Sequence, residues 1–303
     1  MKRAFMQVDV FGATPYAGNP LAVVLDGADL SDQQMQDFAR WTHLSETCFL
    51  LPATDPTADY RVRIFTPGAE LPFAGHPTLG SCHAWLQAGG VPKLQGLVVQ
   101  QCEQGLVRIR QGERLAFAAP KLKRSAVPDE LLASVALALG LDPAQIVAAQ
   151  WLNNGPQWLG LLLDSAPTLL ALEPDHLALK QLGCKVGVAA IEETEPAPTL
   201  IARSNREARA FGARSLGAND AAPDLQVRAF AAPVGVNEDP VTGSLNASLA
   251  QWLVADGHLP ENYLAAQGQC VGCDGLVHVS RDATAQVWVG GDVVTCISGE
   301  VTL

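Results

Sequence analysis

The feature that most constrains this fold is a helix-length run without a single charged residue, Leu245–Ala255. Helices on a protein surface carry a charged face, whereas a helix that is apolar or small on every side is usually buried. The run follows Glu238–Ser244, a loop segment with two acids, a proline, a glycine and a serine. We therefore expect the chain to enclose this helix, with the unpaired N–H groups of its first turn directed at a bound anion.

A second uncharged helix, Thr78–Ala88, occurs in the first half of the chain. Trp85 and Trp252 lie 167 positions apart, and the same offset aligns several of their small and apolar neighbours. Upstream of the helices, Val62–Phe65 resembles Val227–Phe230 at an offset of 165. Single identities also arise by chance, but strand, loop and uncharged helix recurring in one order predict an internal duplication.

The duplication predicts an α+β chain of two pseudo-symmetric domains, each a strand-rich, barrel-like shell around a central buried helix. At 303 residues the chain is long enough for two such cores. The composition becomes basic and proline-containing near Lys121–Pro128, which predicts the domain junction. The N-terminal domain is then 1–122 and the C-terminal domain 123–303, and the last strand, about 286–303, can cross back to the first domain.

Alternating residues and turn signals predict the secondary structure of the first half. The predicted strands are Gln7–Phe11, Asn19–Leu25, Thr47–Leu51 and Tyr60–Phe65, followed by a strand pair over Leu97–Phe117 broken at Gln111–Glu113. Ser31 is the predicted N-cap of a helix that reaches about Trp41. Pro77, which lacks a backbone N–H, suits the first position of the helix Thr78–Ala88.

Charge and hydropathy exclude several classes of protein. The chain carries 31 acids against 20 Lys and Arg residues, and no basic cluster is available to neutralise nucleic-acid phosphates. Apolar runs such as Trp158–Leu163 are too short to span a bilayer. Lys2 and Arg3 could open a signal peptide, but Asp9 interrupts the run before an apolar segment develops. We expect a cytoplasmic protein with no nucleic-acid or membrane partner.

Seven cysteines, an odd number scattered along a long chain, indicate reduced thiols and not a disulfide framework. Cys270 and Cys273 have the spacing of a metal or redox pair, and only Cys296 and His278 lie nearby in sequence to complete a metal site. The chain has no glycine-rich dinucleotide loop, no Walker loop and no His-Glu-x-x-His. No cofactor and no metal are predicted, and a role for Cys270 and Cys273 in metal binding or redox chemistry stays an alternative.

Two residues of the first half are candidate catalytic groups. Glu46 is an isolated acid before an apolar strand; it is either a solvated loop residue or a proton carrier whose pKa is raised at the edge of a cleft. His76 follows Gly75 at the start of the uncharged helix, where it either packs as a neutral side chain or orients a substrate. The helix dipole disfavours its charged form.

Asp239 is the matching catalytic candidate in the second half, with helix capping as the alternative role. Gly75, Gly243 and Ser244 are the predicted substrate-binding residues, because backbone N–H groups at helix starts bind anions. A nucleophilic Ser244 is disfavoured, since no Gly-x-Ser-x-Gly elbow surrounds it. If the domains face each other about a pseudo-dyad, both helix starts open into one cleft.

Five segments resemble the PhzF-like (phenazine biosynthesis) isomerase family: Val8–Phe11, Gly18–Val24, Leu44–Thr47, Leu71–Gly80 and Glu238–Ser244. They fall in the family's order and, with a weaker glycine-containing segment near residue 275, span most of the chain. The resemblance is specific for the family and not for the substrate.

The resemblance implies the diaminopimelate epimerase-like fold, an active site between two similar domains, no cofactor and a homodimer. In the phenazine enzyme a glutamate at the position of Glu46 moves a proton between carbons of a dihydro-hydroxyanthranilate, and residues matching His76, Asp239 and Ser244 surround the substrate. True epimerases carry two cysteines at these helix starts. Gly75 and Asp239 stand there instead, which argues against two-thiol epimerisation, and Cys273 stands where the family often has arginine.

These observations together predict a cofactor-independent isomerase that moves a proton on a small carboxylate-bearing substrate. Glu46 is the predicted proton carrier, while His76 and Asp239 position the substrate and relay protons. Three alternatives remain open at this point: a non-catalytic small-molecule-binding protein on the same fold, an amino-acid epimerase or racemase, and the metal-binding or redox role of Cys270 and Cys273.

Overall fold

The computed structural model describes residues 1–192 and 222–303. The first half contains strands β1 Lys2–Val10, β2 Asn19–Val24, β3 Thr47–Leu51, β4 Tyr60–Phe65, β5 Glu70–Leu71, β6 Leu97–Cys102, β7 Gly105–Gln111 and β8 Leu115–Ala118, and helices α1 Asp32–Thr42 and α2 Gly75–Gln87. The second half contains strands β9 Lys123–Ser125, β10 Ile146–Asn153, β11 Gln157–Leu163, β12 Val186–Ile191, β13 Leu225–Phe230, β14 Asn262–Gln267, β15 Gly275–Arg281, β16 Val287–Gly291 and β17 Val293–Thr302. Its helices are α3 Asp129–Leu139, α4 Ala166–Leu170, α5 His176–Leu182 and α6 Gly243–Ala255, with short 3-10 turns at Pro143–Gln145, Ala232–Val234 and Gln269–Val271.

The strand pairing repeats between the two halves. In the first half β1 and β2 are antiparallel, β2 and β3 parallel, β3 and β4 antiparallel, β4 and β6 parallel, and β6 to β8 antiparallel. Strands β10 to β16 follow the same sequence of directions. The two uncharged helices also occupy equivalent places, α2 between β4 and β6 and α6 between β13 and β14. This shared order is what a duplicated unit produces.

Two pairings tie the halves together. β8 pairs with β16, so the sheet continues from one half into the other. The last strand, β17, pairs along the whole of β1 in the first half, while β9 already pairs with β10 in the second. The chain passes between halves over residues 119–122. The continuous sheet does not by itself mark where one domain ends and the next begins, so the domain boundary at 122/123 stays a prediction.

Helices α2 and α6 lie at the centre of the molecule. α2 contacts strands on several sides, among them β1, β2, β3, β6 and β8, and α6 contacts β10, β15 and β16. Each helix buries residues on every side, which explains why neither carries a charge. Trp252 of α6 is 1 % exposed and Leu79 of α2 is fully buried within the same hydrophobic cluster. One apolar core therefore joins the two helices and both sets of strands.

The remaining helices cover the outside of the sheet. Met35 and Phe38 of α1 pack on Phe49 and Phe65, in a small cluster separate from the central one. Helices α3, α4 and α5 cover β11 and β12 with a second separate cluster that includes Leu139. In the described ranges no helix is both long enough and apolar enough to cross a membrane.

Two details of the predicted secondary structure are wrong. Leu97–Phe117 forms three strands and not two, because a tight turn after Cys102 uses Gly105 at φ +118°. The two central helices begin earlier than predicted, at Gly75 in place of Thr78 and at Gly243 in place of Leu245. The N–H groups of the first helical turn have no intrahelical partner, so a proline is tolerated at any position of that turn. Pro77 therefore did not mark the first residue of α2.

Candidate active site

The two central helices begin at glycines that touch each other. A methyl group added to Gly75 would lie 2.7 Å from the Cα of Gly243, and one added to Gly243 would lie 2.9 Å from the Cα of Gly75. Real side chains are not found at such distances, so this approach requires glycine at both positions. The N-termini of α2 and α6 therefore meet at one point, where the two halves of the chain face each other.

Both helix starts have free hydrogen-bonding capacity. The N-cap residues are Ala74 and Thr242, and among the described residues neither makes a side-chain capping bond. The first-turn N–H groups, including those of His76 and Ser244, consequently lack a capping acceptor. Each helix start carries about half a positive charge from its dipole, and two starts at one point favour a bound anion.

Glu46 and His76 lie side by side next to this point. Glu46 immediately precedes β3, and its Oε2 is 3.4 Å from Nε2 of His76. The side chain of Glu46 is 15 % exposed and that of His76 is 4 % exposed. Neither of these two atoms has a hydrogen-bond partner in the described structure, and both are buried. Two adjacent buried polar atoms without partners are unusual in a folded protein and indicate a place for a ligand.

Burial keeps both groups uncharged near neutral pH. It raises the pKa of Glu46 from 4.5 to about 8, with a further increase from the charge of Asp239 and a decrease from Lys185. It lowers the pKa of His76 from 6.5 to about 3. The predicted neutral state of His76 agrees with this, although burial and not the helix dipole is the cause. The 3.4 Å contact is therefore between neutral groups and is not an ion pair.

Asp239 is fixed by side chains from both halves. Nδ2 of Asn19 donates to its Oδ1 at 2.9 Å, and Oγ1 of Thr242 donates to its Oδ2 at 2.5 Å. These bonds oppose the effect of burial, which raises the pKa of Asp239 from 3.8 to about 6. Asp239 does not cap α6, since the N-cap is Thr242 and no side chain caps the helix. Its charge instead acts on Glu46 and raises the pKa of that side chain.

Ser244, the second residue of α6, is oriented by the second half alone. Nε1 of Trp158 donates to its Oγ at 3.3 Å, and Nδ2 of Asn154 donates to its backbone oxygen at 2.9 Å. Because its Oγ accepts from the indole, the hydroxyl proton of Ser244 is directed elsewhere. Ser244 is 6 % exposed, and no acceptor for this proton is assigned among the described residues.

Lys185 is the residue of this region that the sequence did not single out. It immediately precedes β12, and its Nζ lies 4.7 Å from the centre of the Trp158 ring. Burial lowers its pKa, and the charges of Glu46 and Asp239 oppose that decrease. Nothing in the local sequence distinguishes Lys185 from a surface lysine. Asn19 was also missed as a functional residue, although it lies in one of the segments that carry the resemblance.

The second acid of the opening loop, Glu238, does not belong to the site. Both of its carboxylate oxygens accept from the guanidinium of Arg228, at 2.9 and 2.8 Å. The pair is almost completely buried, with side-chain exposures of 6 % for Arg228 and 8 % for Glu238. Glu238 therefore anchors the loop to β13, whereas the charge of Asp239 acts on Glu46.

All seven cysteines are free thiols. Cys48 and Cys82 are buried, and burial raises the pKa of each thiol above its ordinary value. Cys273 lies close enough to Asp9 and Asp239 for their charges to raise its pKa further. Across residues 1–192 and 222–303, no three His, Cys, Asp or Glu side chains are grouped so that they could hold a metal ion.

Comparison with known sequences gives one family. The family model described as phenazine biosynthesis-like protein matches residues 8–299. Antisense-enhancing sequence 1 of Schizosaccharomyces pombe is 33 % identical over 318 residues, covering 99 % of this chain and 98 % of the relative. Trans-2,3-dihydro-3-hydroxyanthranilate isomerase of Pseudomonas aeruginosa is 32 % identical over 265 residues, covering 84 % of this chain and 81 % of the relative.

Comparison with solved structures gives one fold. A PhzF-family phenazine biosynthesis protein of Bacillus anthracis superposes with a TM-score of 0.77 at 21 % identity, covering 100 % of both chains. A hydroxyproline epimerase of Agrobacterium vitis superposes with a TM-score of 0.58 at 14 % identity, covering 100 % of this chain and 93 % of the epimerase. At these identities the likeness concerns the fold alone. The predicted α+β, diaminopimelate epimerase-like fold is confirmed.

Proposed function

The chain belongs to the phenazine biosynthesis-like protein family and is an isomerase, and we propose that it moves a proton on a small carboxylate-bearing substrate without a cofactor. The proposed site lies where α2 and α6 meet. The observation that carries the proposal is the pair of buried, unpartnered atoms, Oε2 of Glu46 and Nε2 of His76, beside two uncapped helix starts.

In this proposal the substrate carboxylate binds at the helix starts. Among the described residues, the N–H groups near Gly75 and Gly243 and the hydroxyl proton of Ser244 have no side-chain acceptor that a carboxylate would have to displace. The same groups stabilise the oxygen that gains negative charge when a neighbouring carbon loses its proton. Binding in this way brings the acidic carbon of the substrate close to Glu46.

Glu46 is the proposed proton carrier. It removes a proton from a carbon made acidic by conjugation or by the adjacent carboxylate, and it returns the proton to another carbon. The elevated pKa, about 8, makes the protonated form a good donor for the second step. Asp239 holds a polar group of the substrate. Neutral His76 forms a hydrogen bond with the substrate without competing for the proton that Glu46 transfers.

Thiols do not fit this role. Burial raises the pKa of Cys48, Cys82 and Cys102, the buried cysteines of the first half, so their thiolate forms are disfavoured. A carboxylate-based proton shift is therefore better supported than two-thiol epimerisation of an amino acid. An epimerase would exchange one α-proton with inversion, which chiral chromatography of the product distinguishes from a shift between two carbons.

The proposal is tested by proton exchange in heavy water. The purified protein is incubated with trans-2,3-dihydro-3-hydroxyanthranilate, the compound in the name of one relative, and with fractionated metabolite extract, and products are followed by mass shift. We expect deuterium incorporation with the wild-type protein and a 10²- to 10⁴-fold lower rate with Glu46→Gln, about the usual contribution of a general base. Glu130→Gln, an exposed glutamate of α3, is the matched control.

Two results contradict the proposal in different ways. Full turnover by Glu46→Gln excludes Glu46 as the proton carrier while leaving the isomerase intact. Saturable binding of a metabolite with no deuterium incorporation into it favours the alternative of a non-catalytic binding protein.

A further inference from the structure

Lys185 is a cation without a direct partner inside the proposed site. Among the described residues no carboxylate oxygen lies within 4.0 Å of its Nζ and no hydrogen-bond acceptor is assigned to it, although the side chain is largely buried. Its one close neighbour is the face of Trp158, 4.7 Å from Nζ to the ring centre. A buried ammonium without an acceptor is costly, because desolvation is repaid only by pairing.

The backbone directs Lys185 towards the start of α6. Lys185 immediately precedes β12 and lies two positions before Gly187, so the two residues face the same side of the sheet. A methyl group added to Gly187 would collide with Leu245, in the first turn of α6. Trp158, on which Lys185 lies, donates to Ser244 in the same turn. Lys185 therefore flanks the helix start that binds the substrate carboxylate in the proposed function.

The two acids whose charges act on Lys185, Glu46 and Asp239, make no direct ion pair with it among the described residues. Both oxygens of Asp239 already accept hydrogen bonds, from Asn19 and from Thr242. Burial raises the pKa of Glu46 to about 8, so this side chain is mostly uncharged at neutral pH. The site at that pH holds one carboxylate charge, one ammonium and two positive helix ends, which leaves an excess of positive potential.

We propose that Lys185 binds a second anionic oxygen of the substrate, so that the physiological substrate carries an acidic group in addition to the carboxylate held at the helix starts. This inference rests on the proposed function, since it places both groups of one small molecule in the same cleft. The second group is a carboxylate or another oxygen that is negatively charged when bound. It completes the coordination of the ammonium and is held against the Trp158 side of the cleft.

The test uses two ring acids that differ by one carboxylate, benzoate and isophthalate, with binding measured by isothermal titration calorimetry at pH 7. We expect the wild-type protein to bind isophthalate at least about tenfold more tightly than benzoate, which corresponds to about 1.4 kcal/mol. Lys185→Met keeps the aliphatic stem on Trp158 and removes the charge. We expect it to abolish the preference for isophthalate while leaving the affinity for benzoate within about twofold.

Three further variants sharpen the test. Lys185→Arg keeps the charge and should retain a preference for isophthalate, whereas Lys185→Gln should lose it and replaces the Met variant if that one unfolds. Lys180→Met, an exposed lysine on α5 of the same half, should change neither affinity.

A wild-type protein without a preference for isophthalate overturns the inference, and so does Lys185→Met if it weakens both ligands equally. If Lys185→Met weakens the binding of both ligands equally, Lys185 acts through a general electrostatic effect on Glu46 and Asp239. Because binding is measured without turnover, either failure leaves the heavy-water test of the proposed function untouched.

Discussion

Replacing Glu46 by glutamine should make the protein more stable at alkaline pH. Burial favours the uncharged form of this side chain, so the folded protein holds the Glu46 proton up to a pKa of about 8, whereas the unfolded chain releases it near 4.5. Between these values the folded state binds more protons than the unfolded state. The free energy of unfolding of the wild-type protein therefore falls as the pH rises from about 4.5 to about 8.

The size of the effect follows from the two pKa values. Each pH unit between them is worth about 1.4 kcal/mol, so the full interval corresponds to roughly 5 kcal/mol of lost stability at pH 8. The side chain keeps 15 % exposure, which lets water offset part of this cost. Glutamine imitates the protonated acid and pays none of it. We expect Glu46→Gln to exceed the wild type by roughly 2 to 5 kcal/mol at pH 8 and by less than about 1 kcal/mol at pH 5.

The assay is guanidinium unfolding of both proteins at pH 5, 6, 7 and 8, with the difference in unfolding free energy plotted against pH. Glu130→Gln, which alters an exposed glutamate, is the control and should track the wild type at every pH. A difference between Glu46→Gln and the wild type that stays constant from pH 5 to pH 8 would refute the reasoning. The same holds if the variant is the less stable protein at pH 8.

Two more predictions follow from the geometry of the site. A general base must be ionised, and burial raises the pKa of Glu46 to about 8, so kcat/KM should increase about tenfold per pH unit between about 6 and 8 and then level off. Initial rates on any substrate identified in the heavy-water experiment measure this profile. A profile that is already flat at pH 6 contradicts the prediction. Gly75→Ala forces a methyl group to 2.7 Å from Gly243, so we expect a loss of about 1 to 3 kcal/mol in stability together with at least about tenfold lower activity. Gly68→Ala, where the nearest atom is 3.9 Å away, should be neutral in both thermal unfolding and activity, and equal effects of the two changes would contradict the assigned contact.

The architecture could be predicted from the sequence because the same pattern of strand, loop and uncharged helix occurs in both halves of the chain. An uncharged helix has one plausible environment, and finding two of them with matching upstream strands predicted the duplicated shell. Alternation located β4, and the sequence also predicted the short strand β3, each with the bounds it has in the structure. The starts of α2 and α6 were misplaced because they depend on a contact between Gly75 and Gly243, which are distant in sequence.

The site was only partly accessible. Glu46, His76 and Ser244 are brought together with Asp239 as the resemblance implied, and their catalytic roles stay predictions until exchange is measured. The sequence did not single out Lys185, because its position beside Trp158 depends on strand register and the local sequence carries no sign of that. Glu238 could not be separated from its neighbour Asp239, because its partner is ten positions away on another element.

The contact between the two initial glycines also limits how the halves of this chain can change over evolutionary time. Copies of a duplicated unit ordinarily diverge independently, since a substitution in one copy leaves the other unaffected. Here a side chain on either glycine would collide with the backbone at the other, so Gly75 and Gly243 must both be retained while the helix starts stay in contact. The meeting point of the helices is therefore a place where the ancestral symmetry persists, while the side chains around it, Glu46 on one side and Asp239 on the other, have become different.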